Sequence, residues 1–195
     1  STWEAFRSSI TAGVTAGACG ILYWGWDLAG FSGPVPDSEL YARAFAAATF
    51  MPIMQYHSEF NHHQLPLRDR TPWNVAEQTG CDELVDLARH YMRIREGLRP
   101  YLAHQARCSL KTGKPLMRAM FYDYGSDPEI WNHPRQYLLG DDLLINPVTE
   151  PGAITWTTYL PDGRWVDYWS GETIEGGRTV TRPADWDAIP VYRKA

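Results

Sequence analysis

Two polar side chains close otherwise apolar runs in the first third of the chain. Asp27 follows Gly20-Ile-Leu-Tyr-Trp-Gly-Trp26, and His57 follows Phe50-Met-Pro-Ile-Met-Gln-Tyr56. A carboxylate and an imidazole at the ends of parallel strands face the mouth of the sheet, where they can exchange hydrogen bonds with a neutral polar ligand. The adjacent pair His62 and His63 suggests a metal at first sight, but neighbouring side chains diverge and no Cys or carboxylate stands at ligand spacing. They read as loop residues, and no metal is expected. Cys19, Cys81 and Cys108 are odd in number, widely spaced and without CxxC spacing, so they read as buried thiols. The chain carries 9 Trp and 11 Tyr, an aromatic excess that suits either a thick core or a site where rings stack on sugar C–H faces.

The elements that must position these residues follow from periodicity. Trp3, Phe6, Ile10 and Val14 recur at helical spacing and predict a helix over 2–18, with Ser1 or Thr2 as its cap. The apolar run 20–26 predicts a strand covered on both faces. A loop rich in Gly, Pro and Ser leads to a helix over 40–49 and a second strand over 50–56. Connections this short require parallel pairing through a right-handed crossover, with Asp27 and His57 at the same end. Residues 58–80 read as a long polar loop, and 82–108 as a long amphipathic helix that Pro100 should kink or split. Beyond 113 the pattern changes to short β-type runs at 116–122, 137–139, 143–148, 154–160, 164–168 and 189–192, divided by turn signals. This half reads as an antiparallel β-sandwich whose core includes Met117, Met120, Leu144, Ile145, Val148 and Trp165.

The fold class is therefore α/β plus β. A complete (β/α)8 barrel takes about 250 residues, roughly 30 per unit, whereas only residues 1–112 have α/β character here. They are expected to be the last βα units of such a barrel, with 113–195 as the sandwich. A free-standing three-layer domain would leave both strands with open edges. The composition, 44% hydrophobic and 21% charged, is that of an ordinary globular protein, and the net charge of −5 without a basic run argues against nucleic acid or an anionic membrane as partner. No apolar run approaches the roughly 20 residues that span a bilayer. The chain begins without Met, and it is expected to have been cut from something longer.

Several motifs carry a resemblance to the glycoside hydrolase family 31 α-glycosidases, a family that includes α-glucosidases and α-xylosidases. Gly25-Trp-Asp-Leu-Ala-Gly-Phe31 resembles the family signature G-x-D-I-G-G-F on and after the seventh barrel strand. The strand ending in His57 resembles the eighth. Pro115-Leu-Met-Arg-Ala-Met120 and Gln136-Tyr-Leu-Leu-Gly-Asp-Asp-Leu-Leu-Ile-Asn-Pro-Val148 are similar to P-M-x-R-A-M and Q-Y-x-L-G-D-x-L-L-x-x-P-V of the family's sandwich. The resemblance implies a retaining mechanism without cofactor, in which one Asp is nucleophile and another acid/base. By the family pattern both lie upstream of Ser1, so no catalytic residue is assigned to Asp27 or Asp37, and the fragment alone is expected to be inactive without the N-terminal part of its chain. What it implies for these residues is substrate binding. His57 resembles the histidine that donates to a hydroxyl of the sugar in subsite −1, and Phe31 the aromatic wall beside that sugar. Asp27 supports the site or touches the sugar, and Trp24 is the fourth candidate, with only one of Trp24 and Trp26 expected to point into the barrel. Gln55 stands where the family often has Arg, which leaves sugar and linkage open. The implied partner is an oligosaccharide or small α-glycoside. A non-catalytic carbohydrate-binding or structural module would account for the sandwich and the aromatics but not for the barrel-type first half.

Overall fold

The hydroxyl of Thr2 accepts the Ala5 amide at 3.1 Å and so starts helix α1 (Trp3–Ala18) where its periodicity places it. The computed structural model describes residues 1–59 and 65–195; His62 and His63, read as loop residues, lie outside the described residues. Phe6 and Ile10 turn the buried face of α1 inward. Gly17 lets it sit close on the following domain, since a methyl group there would stand 2.6 Å from the Met117 carbonyl oxygen.

Strands β1 (Gly25–Asp27) and β2 (Ile53–Gln55) pair in parallel, Gly25 against Ile53, Trp26 against Met54 and Asp27 against Gln55. Helix α2 (Ser38–Thr49) makes the crossover, capped by the Asp37 carboxylate, which accepts the Leu40 amide at 2.7 Å. Both strands are shorter than the apolar runs that predicted them. Phe50 caps the C-terminus of α2 instead of pairing, and the Arg95 guanidinium takes up the carbonyls of Thr49, Met51 and Pro52 that the turn would leave unpaired. Part of the expected 58–80 loop is a helix, α3 (Pro72–Thr79). Helix α4 (Glu83–Thr112) is not split by Pro100. Pro100 and the Glu96 carbonyl it deprives of a donor both lie on the exposed side, where water can serve that carbonyl, while Tyr91, Leu98 and Leu102 hold the opposite side in the core. The expectation of buried thiols is corrected: Cys19 is exposed, and Cys81 and Cys108 are partly so. No helix among the described residues is long and apolar enough to cross a membrane.

The second half is a six-stranded antiparallel sheet facing a two-stranded one. The larger is ordered β3 (Met117–Ala119), β4 (Tyr137–Leu139), β5 (Leu143–Ile145), β10 (Val191–Lys194), β7 (Arg164–Asp167) and β8 (Thr173–Glu175). The smaller pairs β6 (Thr155–Leu160) with β9 (Arg178–Pro183). A short helix α5 (Phe121–Tyr124) occupies part of the run expected as strand 116–122. The six core residues expected from sequence are all buried. They do not form one core, because strand alternation sends them to opposite faces. Met117, Tyr137, Leu139, Ile145 and Val191 join the helical half in one cluster, while Met120, Leu138, Leu144, Trp165 and Tyr192 pack with Tyr159 and Leu160 of β6 in another.

The two halves are locked by polar contacts as well. The Tyr137 hydroxyl donates to the Phe50 carbonyl at 3.1 Å, and the Tyr101 hydroxyl of α4 donates to the Leu139 carbonyl at 2.7 Å while accepting the Asp142 amide at 3.1 Å. Gly140 lies under that hydroxyl at φ +64°, and a methyl group there would come within 2.4 Å of it.

Candidate functional site

The register that sets Asp27 against Gln55 carries His57 two residues further along the same edge of the pair. By alternation Gly25 and Asp27 share one face of β1, and Ile53 and Gln55 share the matching face of β2. The Gln55 amide donates to Asp27 Oδ1 at 2.7 Å, so the departure from Arg noted above places a neutral donor on the carboxylate. Beyond the strand ends the chain tightens through Ala29 at φ +56° and Gly30 at φ +96°, and Phe31 meets the segment that follows β2. The Phe31 and His57 rings then stand 5.1 Å apart between centroids, inclined at 37°. The Phe31 carbonyl accepts the Glu59 amide at 3.1 Å. Phe31 remains 43% exposed, and Gln55 and His57 are exposed beside it.

The structure thus brings Asp27, Phe31 and His57 together, and adds Gln55, whose donor role shows only once its partner is seen. It does not bring Trp24. The Trp24 ring packs on α1, close enough that a methyl group on Gly13 would lie 2.6 Å from it. Trp26 stacks on Phe6 of the same helix at 5.5 Å between centroids. The expectation that one of the two tryptophans would turn the other way is corrected, because residues two apart on a strand share a face. Both back onto the helix, and Asp27 takes the other side.

Ala29 occupies a left-handed conformation that costs a non-glycine residue roughly 1–2 kcal/mol, and the family signature has Gly there. Ala29→Gly is expected to stabilise the protein by about 0.5–1 kcal/mol once glycine's greater freedom when unfolded is deducted. A rise in melting temperature checks this. A fall would mean that packing of the buried Ala29 methyl outweighs the strain.

Chemically, the cluster offers one carboxylate, one amide, one imidazole and an open aromatic face. That set suits a pyranose, with hydroxyls for the polar groups and C–H faces for the ring. No group of three or more His, Cys, Asp or Glu side chains among the described residues is arranged to hold a metal ion.

A parallel strand pair with its crossover helix, polar residues gathered at the strand ends and a sandwich packed behind define the closing units of an α/β barrel joined to a β domain. The glycosyl hydrolases family 31 TIM-barrel domain matches residues 1–105 and the glycosyl hydrolase family 31 C-terminal domain residues 113–195, and the chain belongs to that family. The 1,3-alpha-isomaltosidase of Kribbella flavida is 67% identical over the whole chain, which covers 27% of that protein, and the isomaltosyltransferase of Sporosarcina globispora is 41% identical, with 18% of it covered. The cycloalternan-degrading enzyme from Trueperella pyogenes, solved in complex with cycloalternan, superposes with a TM-score of 0.98 at 81% identity, covering all of this chain and 27% of that one. The chain therefore spans between 18% and 27% of the length of these relatives.

Proposed function

We propose that the complete protein is a retaining α-glycosidase acting on oligosaccharides built of α-linked glucose, and that this part of it holds the sugar at the cleavage site. The observation that carries the reading is the grouping of Asp27, Gln55, Phe31 and His57 on one exposed face at the common end of two parallel barrel strands. In this reading His57 donates to a sugar hydroxyl, Phe31 covers an apolar sugar face, and Asp27 accepts from a second hydroxyl through the oxygen that Gln55 leaves open. The nucleophile and the acid/base carboxylate belong to upstream strands. Residues 1–112 act as the barrel portion and 113–195 as the sandwich. The end of α4 at Thr112 and the ranges of the two family matches support that division.

The substrate class is supported by the relatives' names, which point to isomaltosyl-containing glucans ahead of α-xylosides. The test is to assay the full-length protein on cycloalternan and on p-nitrophenyl α-glucoside, α-xyloside and α-galactoside. Release of isomaltose from cycloalternan, with the initial product in the α configuration, is the expected result. Turnover of the galactoside alone, or of none of the four, would overturn the assignment. The 41% identity to an isomaltosyltransferase supports a second reading, transfer to a sugar acceptor, which longer oligosaccharide products would reveal.

A further inference from the structure

We propose that Arg70 is a positioning residue: its guanidinium clamps the loop after β1 so that Phe31 stands against the sugar. The inference rests on the reading of Phe31 given above and extends it to a residue outside the cluster.

Arg70 is 2% exposed, yet among the described residues it makes no ion pair. Its charge is met by carbonyls instead. Nη2 donates to Ser32 O at 2.9 Å, Gly33 O at 2.9 Å and Pro34 O at 3.2 Å, and Nη1 donates to Arg68 O. Three consecutive carbonyls immediately after Phe31 therefore converge on one nitrogen. Burying a guanidinium is costly, the more so because its Nε finds no partner among the described residues, and an apolar side chain would fill the same space without that cost. What the planar fork supplies is a fixed tie between two backbone segments, 32–34 through Nη2 and Arg68 through Nη1.

The clamp is itself held from behind. The Arg70 carbonyl accepts the hydroxyl of the buried Tyr41 of α2 at 2.6 Å. Asp69 next to it accepts the Thr71 amide at 2.6 Å, and its carbonyl accepts the Asn74 side chain of α3 at 2.6 Å. A second strut comes from Glu59, whose carboxylate accepts the Gly33 amide at 2.9 Å and the Arg68 guanidinium at 2.6 Å. Helices α2 and α3 thus fix the Phe31 loop through the segment that follows β2, and the exposed ring is held at His57 although little of the core touches it.

The experiment uses the full-length enzyme with Phe31→Ala, Arg70→Lys and the double variant. Lysine keeps the charge but has a single donor nitrogen, so it cannot hold the 32–34 carbonyls and the Arg68 carbonyl at once. Arg70→Lys is expected to raise KM about tenfold, as losing charged hydrogen bonds does, with kcat within about threefold. Amide exchange is expected to speed up in the 28–36 segment and not in α2. The double variant should be scarcely worse than Phe31→Ala, because both changes act through one ring. A role in stability alone would lower the melting temperature and leave KM and the exchange of 28–36 unchanged, which overturns the proposal. Fully additive effects overturn it as well. If Phe31→Ala leaves KM unchanged, the reading of Phe31 as a sugar wall fails and the clamp's role fails with it. If only Arg70→Lys is silent, the wall stands and the clamp falls. Should Arg70→Lys not fold, Glu59→Ala removes the acceptor of the Gly33 amide and carries the same expectation at about threefold in KM; an unchanged KM there overturns the proposal.

Discussion

His57→Ala in the full-length enzyme is expected to cut kcat/KM for an α-glucoside by about 10- to 150-fold and to leave the melting temperature where it is. The range corresponds to one hydrogen bond of roughly 1.5–3 kcal/mol to a charged or charge-developing partner. His57 is exposed beyond the end of β2, and its one described ring contact is with Phe31, so the fold loses little when the imidazole goes. Bonds to sugar hydroxyls tighten as the ring flattens towards an oxocarbenium-like transition state, so kcat should fall together with affinity. Steady-state kinetics beside a thermal melt decide the matter. Near-normal kcat/KM with a much lower melting temperature would make His57 a structural residue.

The largest expected loss of stability lies in the β domain. Arg118 on β3 is 2% exposed and its Nη2 bridges Asp123 and Asp141, each at 2.9 Å. Arg118→Met is expected to cost about 3 kcal/mol, the lower end of what breaking a buried pair costs, because Asp141 is half exposed and Lys114 and Lys194 also reach Asp123. Burial pushes the Asp123 carboxyl up, but Arg118, Lys194 and Lys114 outweigh it and hold the group below its ordinary value. A carboxyl depressed in the folded state stabilises the fold above its unfolded pKa of about 3.9 and loses that contribution as pH falls through the folded value. The Arg118 variant should therefore show a shallower loss of stability below about pH 4. Urea unfolding at pH 7 and pH 3 measures both effects. Adding Asp123→Asn should recover part of the loss, because the uncompensated charge is then removed; a double variant worse than Arg118→Met would refute the charge argument.

Much of this architecture is legible from residue spacing, and the exceptions have physical causes. Helices α1, α2 and α4 announce themselves because apolar side chains recur on one face, and Asp27 and His57 stand out because polar groups close apolar runs. The strand ends are not legible in this way: Tyr23, Trp24 and Phe50 are apolar because they fill space between layers, which a hydropathy pattern cannot separate from ladder pairing. Helix α3 carried its signals, Pro72 at the first turn and Gly80 at the stop, but a short polar sequence hid them. Strand β9, Arg-Thr-Val-Thr-Arg-Pro, alternates with an exposed outer face, so few of its residues look buried. In the site, the family motifs named Asp27, Phe31 and His57, whereas the bond from Gln55 and the grip of Arg70 depend on where loops bring side chains. Carbonyl acceptors have no sequence signature, so an arginine held mainly by them reads like any surface charge.

The fit of Gly140 beneath Tyr101 bears on how such a protein can be rearranged in evolution. A joint in which a single methyl group has no room tolerates little drift on either side, and Tyr137, reaching across to Phe50, ties the same joint to the strand that leads to His57. A β domain transplanted from a relative would keep this fit where the L-G-D of the sandwich motif brings its glycine beneath Tyr101, and without that glycine the joint to β2 would be displaced. Helix α4 and the sandwich should therefore be inherited as one piece, with divergence gathering in the loops at the open ends of the strands.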